Sequence, residues 1–173
     1  MKYFLDTEFI ESGPWAPIHL ISIGIVAEDG REFYAINSEA PLSDVNNWVK
    51  ENVLPHLKPF PGSQMPLRMI AAEVKLFCRA GTDDKPEFWG YYADYDWVVF
   101  CQIFGCMIDL PKGWPMYCRD IKQWCDQLGN PKLPPQGSTE HNALNDARWN
   151  RTAYEFLRTF VSTEPEQSAR SKP

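Results

Sequence analysis

No stretch of the 173-residue sequence approaches the roughly 18 consecutive apolar residues that a membrane-spanning helix requires. The chain also enters Tyr3-Phe4-Leu5-Asp6 directly, with neither the apolar stretch nor the cleavage site of a signal peptide, so a cytosolic (cytoplasmic) location and no membrane partner are expected. Cysteine pairing is missing too. Cys78, Cys101, Cys106, Cys118 and Cys125 are odd in number, lie 23, 5, 12 and 7 residues apart and include no CxxC, which argues against both a disulfide framework and a zinc site. They read as small apolar residues of a reduced interior. Positive charge is in deficit: 17 Lys and Arg against 23 Asp and Glu leave a net charge of -6, which argues against wrapping a long duplex by neutralising its phosphates. A short nucleic-acid end is compatible with that balance, because acidic ligands holding divalent cations meet phosphate through the metals.

Large apolar side chains are what the sequence has in quantity. It is 44% apolar and carries 10 Phe, 7 Tyr and 7 Trp, too many for a disordered chain, and at this length one domain burying roughly 70% of its unfolded surface is expected. With no internal repeat and no shift in composition, residues 1–162 are expected to form that domain and residues 163–173 a flexible tail.

Lys2 to Leu5 is a short apolar run stopping at an Asp, and Leu20 to Val26 is a longer Ile-rich run. After the turn Glu28-Asp29-Gly30, residues 31–36 alternate polar and apolar, so three strands are expected, the last two as a hairpin. Helices are expected over 45–57, with Ser43 or Asp44 as N-cap, and over 67–79. A fourth strand is expected over 87–92 and a buried helix over 97–104. A fifth strand over 116–118 and a helix over 121–128 closed by Gly129 follow, and the last helix is expected over 143–160. Strands first in hairpins and then alternating with helices fit an α/β fold, a mixed sheet with helices on its faces. The Pro- and Gly-rich segment 129–140 is expected to be a mobile surface loop beside the last helix.

Three features carry chemistry. In Asp6-Thr7-Glu8, at the end of a buried strand, alternation puts two carboxylates on one face, where they repel unless a cation sits between them or one is protonated. In Gly90-Tyr91-Tyr92-Ala93-Asp94-Tyr95-Asp96-Trp97, acids stand where a strand hands over to a helix; Asp96 also reads as a plain N-cap, and Asp94 competes with it as a ligand. In His141-Asn142-Ala143-Leu144-Asn145-Asp146, a histidine precedes an aspartate by five residues, and i and i+5 diverge by about 140° on a regular helix. His141 is therefore expected in or just before the first turn, with Asp146 on the helix.

In order and spacing, a DxE ending the first strand, an aromatic-Asp before a mid-chain helix and a late HxxxxD resemble the DEDDh group of 3'-5' exonucleases, which includes RNase T, oligoribonuclease and proofreading subunits. MKYFLDTEFIE, LISIGIVAEDGREFYAI, the YDxVxxCQxxG segment from Tyr95 to Gly105 and HNALNDAR are more closely similar to a small bacterial and phage 3'-5' exoribonuclease family first described from mycobacteria. The resemblance runs over about residues 3–160. It implies an RNase H-like, mixed five-stranded sheet, two metal ions held by Asp6, Glu8, Asp96 and Asp146, His141 as general base, and a homodimer. The aromatic before the acid selects Asp96 over Asp94. Many members of the wider group have His-Asn shortly before that acid, where this chain has Tyr92-Ala93-Asp94.

The same residues support the chemistry on their own terms. Hydrolysis of a phosphodiester needs an activated water in line with the leaving 3' oxygen and positive charge on both oxygens, which two divalent ions roughly 4 Å apart supply. Four carboxylates match two Mg²⁺ in charge, and hard oxygen ligands without a cysteine or histidine cluster favour Mg²⁺, with Mn²⁺ as substitute, over Zn²⁺. A histidine, whose ordinary pKa is about 6.5, can take the proton of the attacking water near neutral pH. Thr7 and Phe9, flanking the acid pair, are expected as the floor for the terminal nucleotide, with Trp15 as an exposed alternative and Arg148 reaching a phosphate. The leading expectation is a metal-dependent exonuclease of single-stranded RNA 3' ends releasing 5'-mononucleotides. The alternatives are a single-stranded DNA exonuclease, separated by a contact to the 2'-hydroxyl, and a non-catalytic RNA 3'-end binding module.

Overall fold

The computed structural model describes residues 1–83, 85–137 and 140–161, without the side chain of Asp44. The expected tail lies outside the described residues. The strands are β1 (Lys2–Ile10), β2 (His19–Ala27), β3 (Glu32–Asn37), β4 (Gln64–Met65), β5 (Glu87–Gly90) and β6 (Arg119–Asp120). The helices are α1 (Asn47–Asn52), α2 (Leu67–Phe77), α3 (Asp94–Gln102), α4 (Ile121–Gln127) and α5 (Ala143–Val161). They form one mixed sheet in the order β4-β3-β2-β1-β5-β6, antiparallel for β1–β2–β3 and parallel elsewhere.

The α/β architecture is as expected, but the sheet has six strands instead of five. The addition is β4, a two-residue strand pairing with Ile36 and Asn37, too short to leave a periodic signal. The strand expected over 116–118 is displaced to Arg119–Asp120, and β1 continues through the acid pair to Ile10 instead of stopping at Asp6. Helix α1 is shorter than expected, flanked by 3-10 turns at Leu42–Asp44 and Leu54–His56, and its cap is Asn46, whose side chain accepts from the Val49 N–H. The proline-rich loop is anchored where it is described. Pro134 accepts from Trp149 Nε1 at 3.0 Å and Pro131 from Cys125 Sγ at 3.5 Å, since a proline that cannot donate still offers its carbonyl.

Period-two alternation sorts β1 between two cores. Tyr3 and Leu5 join Ile23, Ile25, Val74, Phe88 and Phe100 under α2 and α3, whereas Phe4 joins Val26, Ala147, Tyr154 and Leu157 under α4 and α5. Asp6 and Glu8 continue the Phe4 face and Thr7 the Leu5 face. Glu8 lies opposite Ser22 but Phe9 opposite Leu20, so Ile21 is the extra residue of a β-bulge. The bulge turns Ile21 into a third cluster with Ile10, Val45, Val49 and Val53, which seats α1 beside the end of β1.

Two features fix the start of α5 against the acid pair. Gly24, opposite Asp6 in the register, lies so close to the backbone of Ala143 and Leu144 that a Cβ there would collide with both. Buried Asn150 donates from Nδ2 to the Leu5 carbonyl at 2.9 Å. Because the obstructing atoms at Gly24 are backbone, Gly24→Ala must push the helix start off the sheet. We expect it to cost about 3 kcal/mol in a urea melt and to lower turnover at least tenfold; unchanged turnover would show that the placement of Asp146 is not set there.

Candidate functional site

The carboxylates of Asp6, Glu8 and Asp146 converge, with one oxygen of each lying within 4.8 Å of the others. Alternation along β1 supplies the first two, and α5, held down at Gly24, supplies the third. Asp96 joins from the opposite face of the sheet through Thr7, whose backbone N–H and Oγ1 both donate to Asp96 Oδ1 at 2.7 Å. Thr7 sits between the acid pair, so its two bonds tie the carboxylate from α3 to the strand that carries Asp6 and Glu8. Asp96 is buried in the first turn of α3, whose cap is Ala93, so it does not cap the helix. Asp94 is exposed and has no part in the cluster.

Asp146 is held on both oxygens. Gln136 Nε2 donates to Oδ1 at 2.7 Å and the His141 N–H to Oδ2 at 2.9 Å. This gives the five-residue spacing a physical basis. Asn142 caps α5, its side-chain oxygen accepting from the Asn145 N–H and its carbonyl from the Asp146 N–H, and His141 turns back at φ +64° so that its own N–H reaches the carboxylate one turn in. The imidazole is half-buried and meets Trp48 of α1 edge-on, with ring centroids 5.1 Å apart.

Four acids in so small a volume are electrostatically costly without cations. Burial, followed by the charges of Asp96, Glu8 and Asp146, holds Asp6 well above the usual carboxylate range. Burial and then Asp146 and Asp96 push Glu8 up to about 8. Asp96 is raised to about 6 by burial, against the opposing pull of its Thr7 hydrogen bonds, and Asp146 is raised by burial against Gln136 and His141. The donor set is all oxygen and every carboxylate keeps lone pairs beyond its hydrogen bonds, so it fits hard divalent ions.

Three further residues expected at the site are placed differently from one another. Phe9 stacks on Tyr95 of α3, centroids 5.6 Å apart and planes 7° apart, beside the acid pair. Trp15 is 97% exposed on the loop after β1 and makes no ring contact among the described residues. Arg148 is not brought to the acids. It lies about 200° around α5 from Asp146 and makes a two-pronged ion pair with Glu32, at 2.8 and 2.6 Å, while also donating to Asn145. Thr7 shares the α3 face with Phe9, and its backbone N–H and hydroxyl are both taken by Asp96. Gly24, Asn150 and Trp48 escaped sequence reasoning because each matters through a contact distant in the chain, and Gln136 because it reaches Asp146 from an irregular loop.

A family profile described as the 3'-5' exoribonuclease Rv2179c-like domain matches residues 1–158. The chain belongs to that family. It is 43% identical over 150 residues to the 3'-5' exoribonuclease Rv2179c of Mycobacterium tuberculosis H37Rv, covering 86% of this chain and 88% of that one. The same figures hold for 3'-5' exoribonuclease MT2234.1 of strain CDC 1551. By this homology it is a 3'-5' exoribonuclease. Among solved structures, the 3'-exonuclease in a complex described as 3'-end specific recognition of histone mRNA stem-loop aligns with a TM-score of 0.55 at 13% identity, over 94% of this chain and 64% of that one. This chain therefore spans under two thirds of that neighbour. A full-length 3'-exonuclease aligns at 0.53 with 11% identity, over 93% of this chain and 81% of that one. At such identities the likeness establishes the exonuclease fold. Among the described residues no helix is long and apolar enough to cross a membrane.

Proposed function

We propose that the chain removes nucleotides from single-stranded RNA 3' ends by a two-metal mechanism, with Asp6, Glu8, Asp96 and Asp146 as ligands and His141 as general base. The observation that carries this reading is the convergence of Asp6, Glu8 and Asp146, with Asp96 tied in through Thr7. A binding module has no use for buried carboxylates that repel one another. When bound, Mg²⁺ or Mn²⁺ supplies the positive charge that orients the scissile phosphate and stabilises the charge developing on the attacking and leaving oxygens. The protein does the rest. Gln136 and the His141 N–H fix the rotamer of Asp146, Thr7 fixes that of Asp96, and the His141 imidazole takes the proton of the attacking water. The Phe9–Tyr95 pair offers a ring surface beside the acids for the unstacked terminal base.

A timed digest of 5'-labelled single-stranded RNA and DNA of the same sequence tests this, with Mg²⁺, with Mn²⁺, with EDTA and with Asp6→Ala. The expected result is a ladder shortening from the 3' end, faster on RNA, dependent on metal and absent in the variant. Metal-independent shortening, or shortening by Asp6→Ala, would remove the two-metal site.

A further inference from the structure

Two clefts meet at Tyr117 on the β6 edge of the sheet. The first, of about 180 Å³, opens beside the start of α3 and is walled by Ala93, Asp94, Trp97, Met116 and Tyr117, so one wall is the helix turn that carries Asp96. The second, of about 340 Å³, lies further along the same edge and is bordered by Tyr117, Arg119, Trp114 and Lys85. Tyr117 and Met116 are exposed at 55% and 56%, unusual for side chains that could have packed into the core. The Arg119 guanidinium carbon lies 5.6 Å from the centres of both the Tyr117 and Trp89 rings. Its one ion pair among the described residues is a long contact from Nε to Glu87 at 3.5 Å, and its side chain is 42% exposed. The terminal nitrogens of the fork are thus held in place by aromatic faces and remain available to an anion.

We infer that this edge carries the RNA strand upstream of the terminal nucleotide, with a base on Tyr117 and a backbone phosphate on Arg119, Lys85 standing at the far end. The inference rests on the proposed exonuclease site and adds to it a substrate track. A single strand suits the surface because it combines a cation with ring faces and borders the first turn of α3, the turn that carries Asp96. The negative groups along the track are largely engaged. Both Asp120 oxygens accept backbone N–H groups, from Ala93 and Gln123, and Glu87 faces Arg119, leaving Asp94 as the acid exposed on the first wall. Arg119 stands on β6, the second strand out from β1 and so about 10 Å from it, and Lys85 precedes the start of β5, so both are reached by a strand a few nucleotides long and missed by a dinucleotide.

The test compares a dinucleotide with a twelve-nucleotide single-stranded RNA, using wild type, Tyr117→Ala and Arg119→Gln, each checked for an unchanged circular dichroism spectrum. For the long RNA the expected result is a KM raised about tenfold with kcat unchanged, and for Arg119→Gln a slope of log KM against log salt lower by about one. The dinucleotide is expected to be cleaved at the wild-type rate. Equal effects on both lengths, or none on either, overturn the track. Anisotropy of the 5'-fluorescein twelve-mer is read in parallel. A wild type that binds it without cleaving either RNA removes the exonuclease reading alone, and the affinities then decide the track, equal binding by wild type and Arg119→Gln overturning it.

Discussion

In metal-free protein at pH 8, Glu8→Gln raises the melting temperature by roughly 6–12 °C while reducing hydrolysis in Mg²⁺ by at least a thousandfold. The stability half of this expectation follows from linkage. Glu8 is pushed up to about 8 by burial, then by the charges of Asp146 and Asp96, and Asp96 to about 6 by burial. Between the ordinary carboxylate range and those values the native state holds more protons than the unfolded chain, so stability is full at low pH and falls as pH rises toward 8. Replacing the Glu8 carboxyl by an amide of the same shape removes the part of that fall that Glu8 causes, on the order of 3 kcal/mol at a site where the side chain is almost wholly buried. Divalent ions should do for wild type what the amide does for the variant. Saturating Mg²⁺ is therefore expected to raise the wild-type melting temperature more at pH 8 than at pH 5 and to leave the variant nearly unmoved. Scanning calorimetry with EDTA and with Mg²⁺ at both values measures this. A variant less stable than wild type at pH 8 without metal would show that the acids are not held against their own repulsion.

How much of this could be seen in the sequence depends on the range of the interaction. The hairpin strands were legible because Ile-rich runs and the Glu28-Asp29-Gly30 turn declare themselves locally, and α5 because its apolar residues repeat over five turns. Asp6 and Glu8 share a face by the same local rule, strand alternation. What was not legible depends on partners far along the chain. Arg148 reads as a phosphate ligand until β3 brings Glu32, 116 residues away, against it. Nothing beside Thr7 in the chain announces that α3 brings Asp96, 89 residues away, to its hydroxyl. Gly24 carries no signal of its own, because its role is to leave room for a helix that begins more than a hundred residues later. Strand β4, only two residues long, escapes for the opposite reason, since a period cannot be read from so short a segment.

The second large effect is expected at His141. Removing its imidazole is predicted to lower turnover by about 10²–10⁴ with little change in divalent-ion affinity, because a positioned general base contributes about that much. The two roles of the residue are separable in this structure. Asp146 is held by the His141 backbone N–H, at 2.9 Å, and that bond survives loss of the side chain. The choice of replacement matters, however, because His141 sits at φ +64°, a region in which Asn and His are tolerated better than most residues with a Cβ. His141→Asn is therefore the cleaner variant, and His141→Ala adds backbone strain that could loosen the grip on Asp146. Both changes also remove the edge contact with Trp48, which a parallel Trp48→Phe variant reports on separately. Calorimetric titration with Mn²⁺ and single-turnover hydrolysis of labelled RNA measure the two roles on the same samples. Turnover of His141→Asn within threefold of wild type would remove the imidazole as the base. A loss of Mn²⁺ affinity equal to the loss of turnover would move its role from proton transfer to holding the acid cluster together.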